Sequence, residues 1–151
     1  MPSLITDAEI FSAEVKKIFG VLETKGFQFQ NASIKHTDAI GDYAEILVSN
    51  RSTGKRLAFM YAPARNIRPE AISIFLQNDS GDMFSISDFL VHKKINPLLR
   101  RSISLVNYHG ALEEKFAGAL RASKEIIFQY LESHLFGSEW DSIPIQWGGL
   151  K

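Results

Sequence analysis

The chain opens with apolar residues at helical spacing. Phe11, Val15 and Ile18 recur three or four positions apart, which predicts one apolar face of an amphipathic helix. The run Thr-Asp-Ala-Glu that begins at Thr6 matches a capping box, in which two side chains satisfy free backbone N–H groups, so we expect the helix to begin there. A lysine followed by Gly26 predicts its end, as a basic last turn and a glycine C-cap.

The middle of the chain alternates apolar and polar residues, a period of two that is typical of strands. The segments that show it are residues 27–30, 33–36, 43–48, 55–62, 71–76 and 83–86. Polar clusters at residues 49–54 and 77–82 separate neighbouring segments. These clusters predict turns, and therefore antiparallel hairpins.

Helical spacing returns near the C-terminus. Ser87 or Asp88 is expected to cap a short helix, Asn96-Pro97 interrupts the pattern, and a broad apolar stripe predicts a long helix over residues 111–136. The chain thus reads as a helix, four or five antiparallel strands, a short helix and a long helix. This order predicts an α+β fold, with residues 1–151 forming a single domain whose sheet is flanked by the N-terminal helix and the long C-terminal helix.

Composition narrows the classes of function. The 151 residues include 17 basic and 17 acidic side chains and no cysteine. The missing thiols exclude disulfide scaffolds, thiolate metal sites and cysteine nucleophiles. The N-terminus lacks the pattern of a secretory signal, and no run approaches the roughly 20 apolar residues that span a bilayer. We therefore expect a cytoplasmic protein with no membrane partner.

Candidate catalytic chemistry is sparse. The four histidines do not stand at metal-ligand spacing, and phosphate-binding glycine loops and nucleophile elbows are missing from the sequence. We therefore predict no catalytic residue, no metal ligand and no cofactor. His36 and Asp38, two positions apart on a strand, could form an acid–base pair. They keep open the alternative of a small enzyme or ligand-binding domain with a pocket between sheet and helices.

A basic stretch is the first candidate partner-binding surface. Five cations follow one another with no acidic residue between them: Arg51, Lys55, Arg56, Arg65 and Arg68. They could recognise phosphate or an acidic protein. Nucleic acid is an alternative partner, although the net charge of zero provides no general basic excess.

Two tryptophans form the second candidate surface. Trp140 and Trp147 lie in the polar C-terminal segment, beside Glu139 and Asp141. Aromatic side chains on irregular segments often anchor protein interfaces, whereas packing against the long helix is the alternative. Whether the chain also forms a homo-oligomer stays open.

Three segments carry a resemblance of layout. They are the opening helix running into residues 25–27, the strand pair around residues 49–54, and residues 84–90 ahead of a long final helix. In this the chain resembles the small immunity proteins of bacterial contact-dependent growth inhibition and other polymorphic toxin systems. The resemblance implies a non-enzymatic cytosolic protein that binds one cognate toxin domain and blocks its active site. Such proteins share no active site, so it assigns no residue a role.

Overall fold

The structure, a computed structural model, describes residues 4–143. Within that range it has five α-helices: α1 (Leu4–Phe19), α2 (Ile86–His92), α3 (Pro97–Ser102), α4 (Leu112–Tyr130) and α5 (Glu132–Phe136). Two short 3₁₀ segments, Gly20–Lys25 and Leu105–Asn107, follow α1 and α3. None of the helices in this part of the chain has both the length and the apolar character that crossing a membrane requires.

Six strands form one antiparallel sheet: β1 (Gln28–Phe29), β2 (Ser33–Thr37), β3 (Gly41–Ser49), β4 (Arg56–Ala62), β5 (Ala71–Gln77) and β6 (Met83–Ser85). Both β1 and β2 pair with β3, and the sheet continues through β4 and β5 to β6. The predicted α+β class is confirmed, with its N-terminal helix and long C-terminal helix. The sheet has six strands rather than four or five, because the two-residue β1 and three-residue β6 also pair.

The helix ends differ in detail from the sequence predictions. The first helix already includes Leu4, so Thr6 lies inside it and not at its cap. Gly26, which was predicted to cap the first helix, caps the 3₁₀ segment that follows it; its φ of 91° is a left-handed conformation that glycine adopts without steric cost. The predicted helix over residues 111–136 divides at Leu131, whose φ of −121° departs from helical values. This division turns α5 toward the sheet.

The core lies between one face of the sheet and the pair α1 and α4. Antiparallel register places Phe59 opposite Ile74, and Tyr61 opposite Ile72, on this face. The ring of Phe116 in α4 lies 4.8 Å from that of Tyr61. Fully burying a side chain of this size contributes about 1.5–3 kcal/mol. Strand alternation and helical periodicity therefore converge on a single apolar layer.

Candidate functional site

The basic residues singled out in the sequence lie at opposite ends of β4. Arg51 and Arg56 are exposed at the β3–β4 hairpin, whereas Arg65 and Arg68 belong to the loop between β4 and β5. A seven-residue strand separates the two groups, which is about 20 Å at the usual rise per residue. The structure therefore does not bring the five cations into one patch.

Lys55 is buried, unlike its neighbours in the hairpin. Its Nζ donates a hydrogen bond to the backbone oxygen of His134 at 2.5 Å and lies 5.1 Å from the centre of the Trp140 ring. Burial lowers the pKa of Lys55, and the negative charge of Asp79 opposes that shift. This ammonium group ties the hairpin to α5 and is not available on an exposed surface.

The last two cations of the basic stretch, Arg65 and Arg68, form a tight turn. The backbones of Arg65 and Arg68 exchange two hydrogen bonds of 2.9 Å, and Asn66 between them has a φ of 54°. The guanidinium of Arg68 also donates to the oxygen of Pro63 at 2.9 Å. The turn presents Ile67 fully to solvent. Arg68 is therefore committed to loop structure, whereas Arg65 is exposed.

The first tryptophan candidate packs inward. The Trp140 ring lies 5.0 Å from that of Phe84 in β6 and below the ammonium of Lys55, and the side chain is half-buried. Trp140 therefore packs inward, as the alternative expected, but these contacts are with β6 and Lys55 rather than with the long helix. Trp147, the second candidate, lies outside the described residues.

A buried histidine organises the segment after α5. His134 is 2% exposed, and its Nε2 lies 2.6 Å from Asp141 Oδ2 and 3.4 Å from Glu139 Oε2. Lys93 binds the other oxygen of Asp141 at 2.8 Å. Hydrogen bonds from Lys93 and then His134 lower the pKa of Asp141. Phe84 and Phe89 pack against the imidazole, so His134 is shielded from water, whereas the Asp141 carboxylate stays partly exposed.

Within residues 4–143, one group of three side chains could supply the ligands of a metal ion. His134, Glu139 and Asp141 place one atom each within 4.8 Å of one another. Imidazole and carboxylates are zinc ligands, but two ammonium groups already lie beside them: Lys93 on Asp141 and Lys55 on the His134 carbonyl. Because these cations balance the acidic charge, we assign the cluster a structural role. Sequence reasoning missed this cluster, because Glu139 and Asp141 reach His134 only through the path that the chain takes after α5 ends, at its C-cap Gly137.

The acid–base pair considered at His36 is exposed. His36 Nδ1 lies 2.7 Å from Asp42 Oδ1, closer than the 3.8 Å that separates its Nε2 from Asp38. These residues line neither the groove beside β5 nor the shallow cleft between α1 and α4. The pair thus lies on the open surface, where water competes for its hydrogen bonds.

A groove of about 850 Å³ runs along the free side of β5. Its floor is Ala71–Phe75, and its walls come from α2, α3, the segment after α3, and the buried Ser123 of α4. On this side β6 pairs only with Phe75–Gln77, so no strand of the described chain pairs with residues 71–74 there. We call this stretch the β5 edge and the cavity beside it the β5 groove.

The wall opposite the β5 edge depends on a capped helix. The Asn96 side chain accepts a hydrogen bond from the Leu98 N–H at 3.0 Å, and Pro97 occupies the first turn of α3. This helix places Arg100 and Arg101 on the groove, with Arg100 Nε donating to Ser87 Oγ at 3.0 Å. In the sequence Asn96-Pro97 reads as an interruption, although the pair is also a helix start signal.

Exposed apolar side chains surround the same wall. Val91 lines the groove and is 51% exposed, and Leu98 and Val106, at 62% and 51%, lie next to the lining residues Pro97 and Asn107. Exposed apolar side chains beside a concavity are characteristic of an interaction surface. Sequence reasoning did not find it, because residues 98–109 showed no clear periodicity.

Comparison with known proteins identified no relative. The sequence matches no protein-family model and no curated protein, and no solved structure resembles the fold at a significant level.

Proposed function

We propose that this chain is a non-enzymatic protein-binding module and that its partner binds in the β5 groove. The observation that carries the proposal is the coincidence of an unpaired strand edge, the exposed apolar side chain of Val91 and two arginines in one concavity. Apolar contacts supply affinity, while the arginines and the unpaired backbone groups fix the orientation of the bound partner. The core residues beneath the groove hold it in place.

We further propose that the partner is a cognate bacterial toxin domain and that the chain acts as its immunity protein in the cytoplasm. This finer class rests on the resemblance of layout described in the sequence analysis. The mechanism is occlusion: an interface of standard size, roughly 1,600 Å² in total, covers the toxin's active site or substrate path. Arg100 and Arg101 favour an acidic contact segment on the toxin.

Two features of the surface favour this function over the alternatives. The basic residues considered for nucleic acid divide between the two ends of β4, so these five do not form one continuous track for a phosphate backbone. His36 and Asp38, considered for acid–base chemistry, lie outside the β5 groove.

The test is protection from a toxin. The chain would be co-expressed with the C-terminal domain of the protein that the neighbouring gene encodes, tested as the candidate toxin, and bacterial growth would be measured. We expect protection by the natural chain, loss of protection for Arg100→Glu with Arg101→Glu, and protection by the matched control Lys16→Glu with Lys35→Glu. The control reverses two exposed charges on α1 and β2.

Other outcomes would contradict parts of the proposal. Failure of the natural chain to protect against this toxin domain would reject the immunity function. Protection lost by Arg51→Glu with Arg56→Glu, and kept by the groove variant, would place the partner at the β3–β4 hairpin instead. Turnover of a substrate by the purified chain would contradict a non-enzymatic role.

A further inference from the structure

The β5 edge offers backbone groups as well as side chains. In an antiparallel strand, alternate residues direct their N–H and C=O groups to opposite neighbours. Half of the residues in Ala71–Ile74 therefore point these groups away from β4 and into the β5 groove. Among residues 4–143, no hydrogen bond on that side reaches them. Buried or half-buried backbone groups normally find a partner, so this edge favours another extended chain.

The side chains of the groove indicate what that extended chain carries. Arg100 and Arg101 line it from α3 together with one carboxylate, that of Asp88, which leaves arginine in excess. Arginine forks recognise carboxylates with two parallel hydrogen bonds. Ile72, Val91 and Ile103 supply apolar lining between the polar groups. Because side chains alternate along a strand, acidic and apolar residues in alternation would satisfy both kinds of lining.

Resting on the proposed function, we infer that the partner contributes an extended segment with alternating acidic and apolar residues, which pairs with the β5 edge as an added strand. Pairing along four residues spans roughly 13 Å, at about 3.3 Å per residue. The added strand continues the position of β6 in the sheet. Main-chain hydrogen bonds provide affinity in this mode, and the alternate side chains provide specificity. Its carboxylates face Arg100 and Arg101.

A synthetic peptide tests this mode without the toxin. The probe is acetyl-Thr-Val-Glu-Val-Glu-Val-Thr-amide, titrated into the full ¹⁵N-labelled chain while NMR shifts are followed. We expect shifts at Ala71–Ile74 and at Arg100 and Arg101, with a Kd of about 1 mM or below, in the range of a few net hydrogen bonds. Arg100→Glu with Arg101→Glu should weaken binding by at least about tenfold, and Lys16→Glu with Lys35→Glu should leave it unchanged.

Two altered peptides separate strand addition from simple charge attraction. Replacing each Glu by Lys should weaken binding by about tenfold or more, because the arginines would then repel the peptide. N-methylation of alternate backbone amides should weaken it by a similar factor in one of the two registers, because it removes ladder donors. Equal binding of both N-methylated registers, or no shift at Ala71–Ile74, would overturn the proposal.

The outcome is distinguishable from that of the growth experiment. A chain that protects cells but shows no peptide shift at the β5 edge keeps the immunity function and loses strand addition. A chain that takes up the peptide but never protects cells keeps the binding mode and loses the immunity function. Preserved dispersion of the amide spectrum in the double-arginine variant shows that its loss of binding is not unfolding.

Discussion

The two open edges of the sheet use the same residue types in opposite settings. The β2 edge (Ser33–Thr37) is exposed along its whole length, and its Ile34 is 44% exposed. At the β5 edge Ile74 is 5% exposed. A histidine–aspartate pair stands at each side of the sheet: His36 with Asp42 in solvent, and His134 with Asp141 beneath β6. Exposure to solvent, rather than residue type, therefore distinguishes the two edges.

The difference also explains how the sheet avoids indiscriminate pairing. A charged side chain on an exposed strand, such as Lys35, discourages a second chain from adding to the β2 edge. The β5 edge is instead recessed between α2 and α3, so only a segment that fits the groove reaches its backbone. One edge is protected by charge, and the other is selective by shape.

The largest contrast is expected between two isoleucines. Ile74→Ala removes a buried side chain and should lower the free energy of unfolding by about 2–5 kcal/mol. Ile34→Ala, the matched change on the β2 edge, should cost less than about 1 kcal/mol because water already reaches that side chain. Urea denaturation of both variants measures the difference. Equal losses would show that the two edges contribute alike to the core.

The two histidine–aspartate pairs should differ next. Asp141→Asn keeps the side chain's shape but weakens its bonds to His134 and Lys93, and we expect a loss of about 1–3 kcal/mol at neutral pH. Asp42→Asn on the β2 side should cost about 1 kcal/mol or less, because exposed pairs are screened. Thermal and urea unfolding check both values. A larger loss from Asp42→Asn would reverse our assignment of the structural pair.

The His134–Asp141 pair also gives stability a dependence on pH. Hydrogen bonds from Lys93 and His134 hold the pKa of Asp141 below its ordinary value of 3.8. A depressed pKa contributes stability that is present above the unfolded value and is lost as pH falls through the folded value. The gap in unfolding free energy between the natural chain and Asp141→Asn should therefore shrink between about pH 5 and pH 2. A gap that stays constant over this range would contradict the pairing.

The smallest effect concerns the wall of the β5 groove. Asn96→Ala removes the cap of α3 and should cost about 1 kcal/mol, whereas Asn96→Asp keeps the acceptor and should be nearly neutral. Peptide binding should weaken with the alanine variant alone, because α3 positions Arg100 and Arg101. Unchanged helix content and unchanged binding in Asn96→Ala would show that the wall does not depend on this cap.

The sheet could be predicted because each strand carries its own period. Alternation at Leu57, Phe59 and Tyr61 identified the buried face of β4, and the structure places all three in the core. Gly26 likewise marked a helix end through a conformation that other residues seldom adopt. These features are local, so neighbouring residues suffice to reveal them.

The site could not be predicted in the same way, because it depends on distant contacts. Lys55 belonged to an apparent basic run, yet it is buried against His134, which lies 79 positions further along the chain. The β5 groove lies between β5 and a six-residue helix that has no fully buried residue, so the sequence shows no apolar stripe there. The early end of β6, which leaves the β5 edge unpaired, follows from α2 beginning at Ile86.

Amide hydrogen exchange tests the central claim most directly. The amides of Ala71–Ile74 that point away from β4 should exchange rapidly in the free chain. With the cognate toxin domain present at about 100 times its Kd, they should slow by about 100-fold, while amides of the β2 edge keep their rates. Saturating toxin domain that leaves the β5 edge amides unprotected, or that protects β2 instead, would contradict strand addition in the β5 groove.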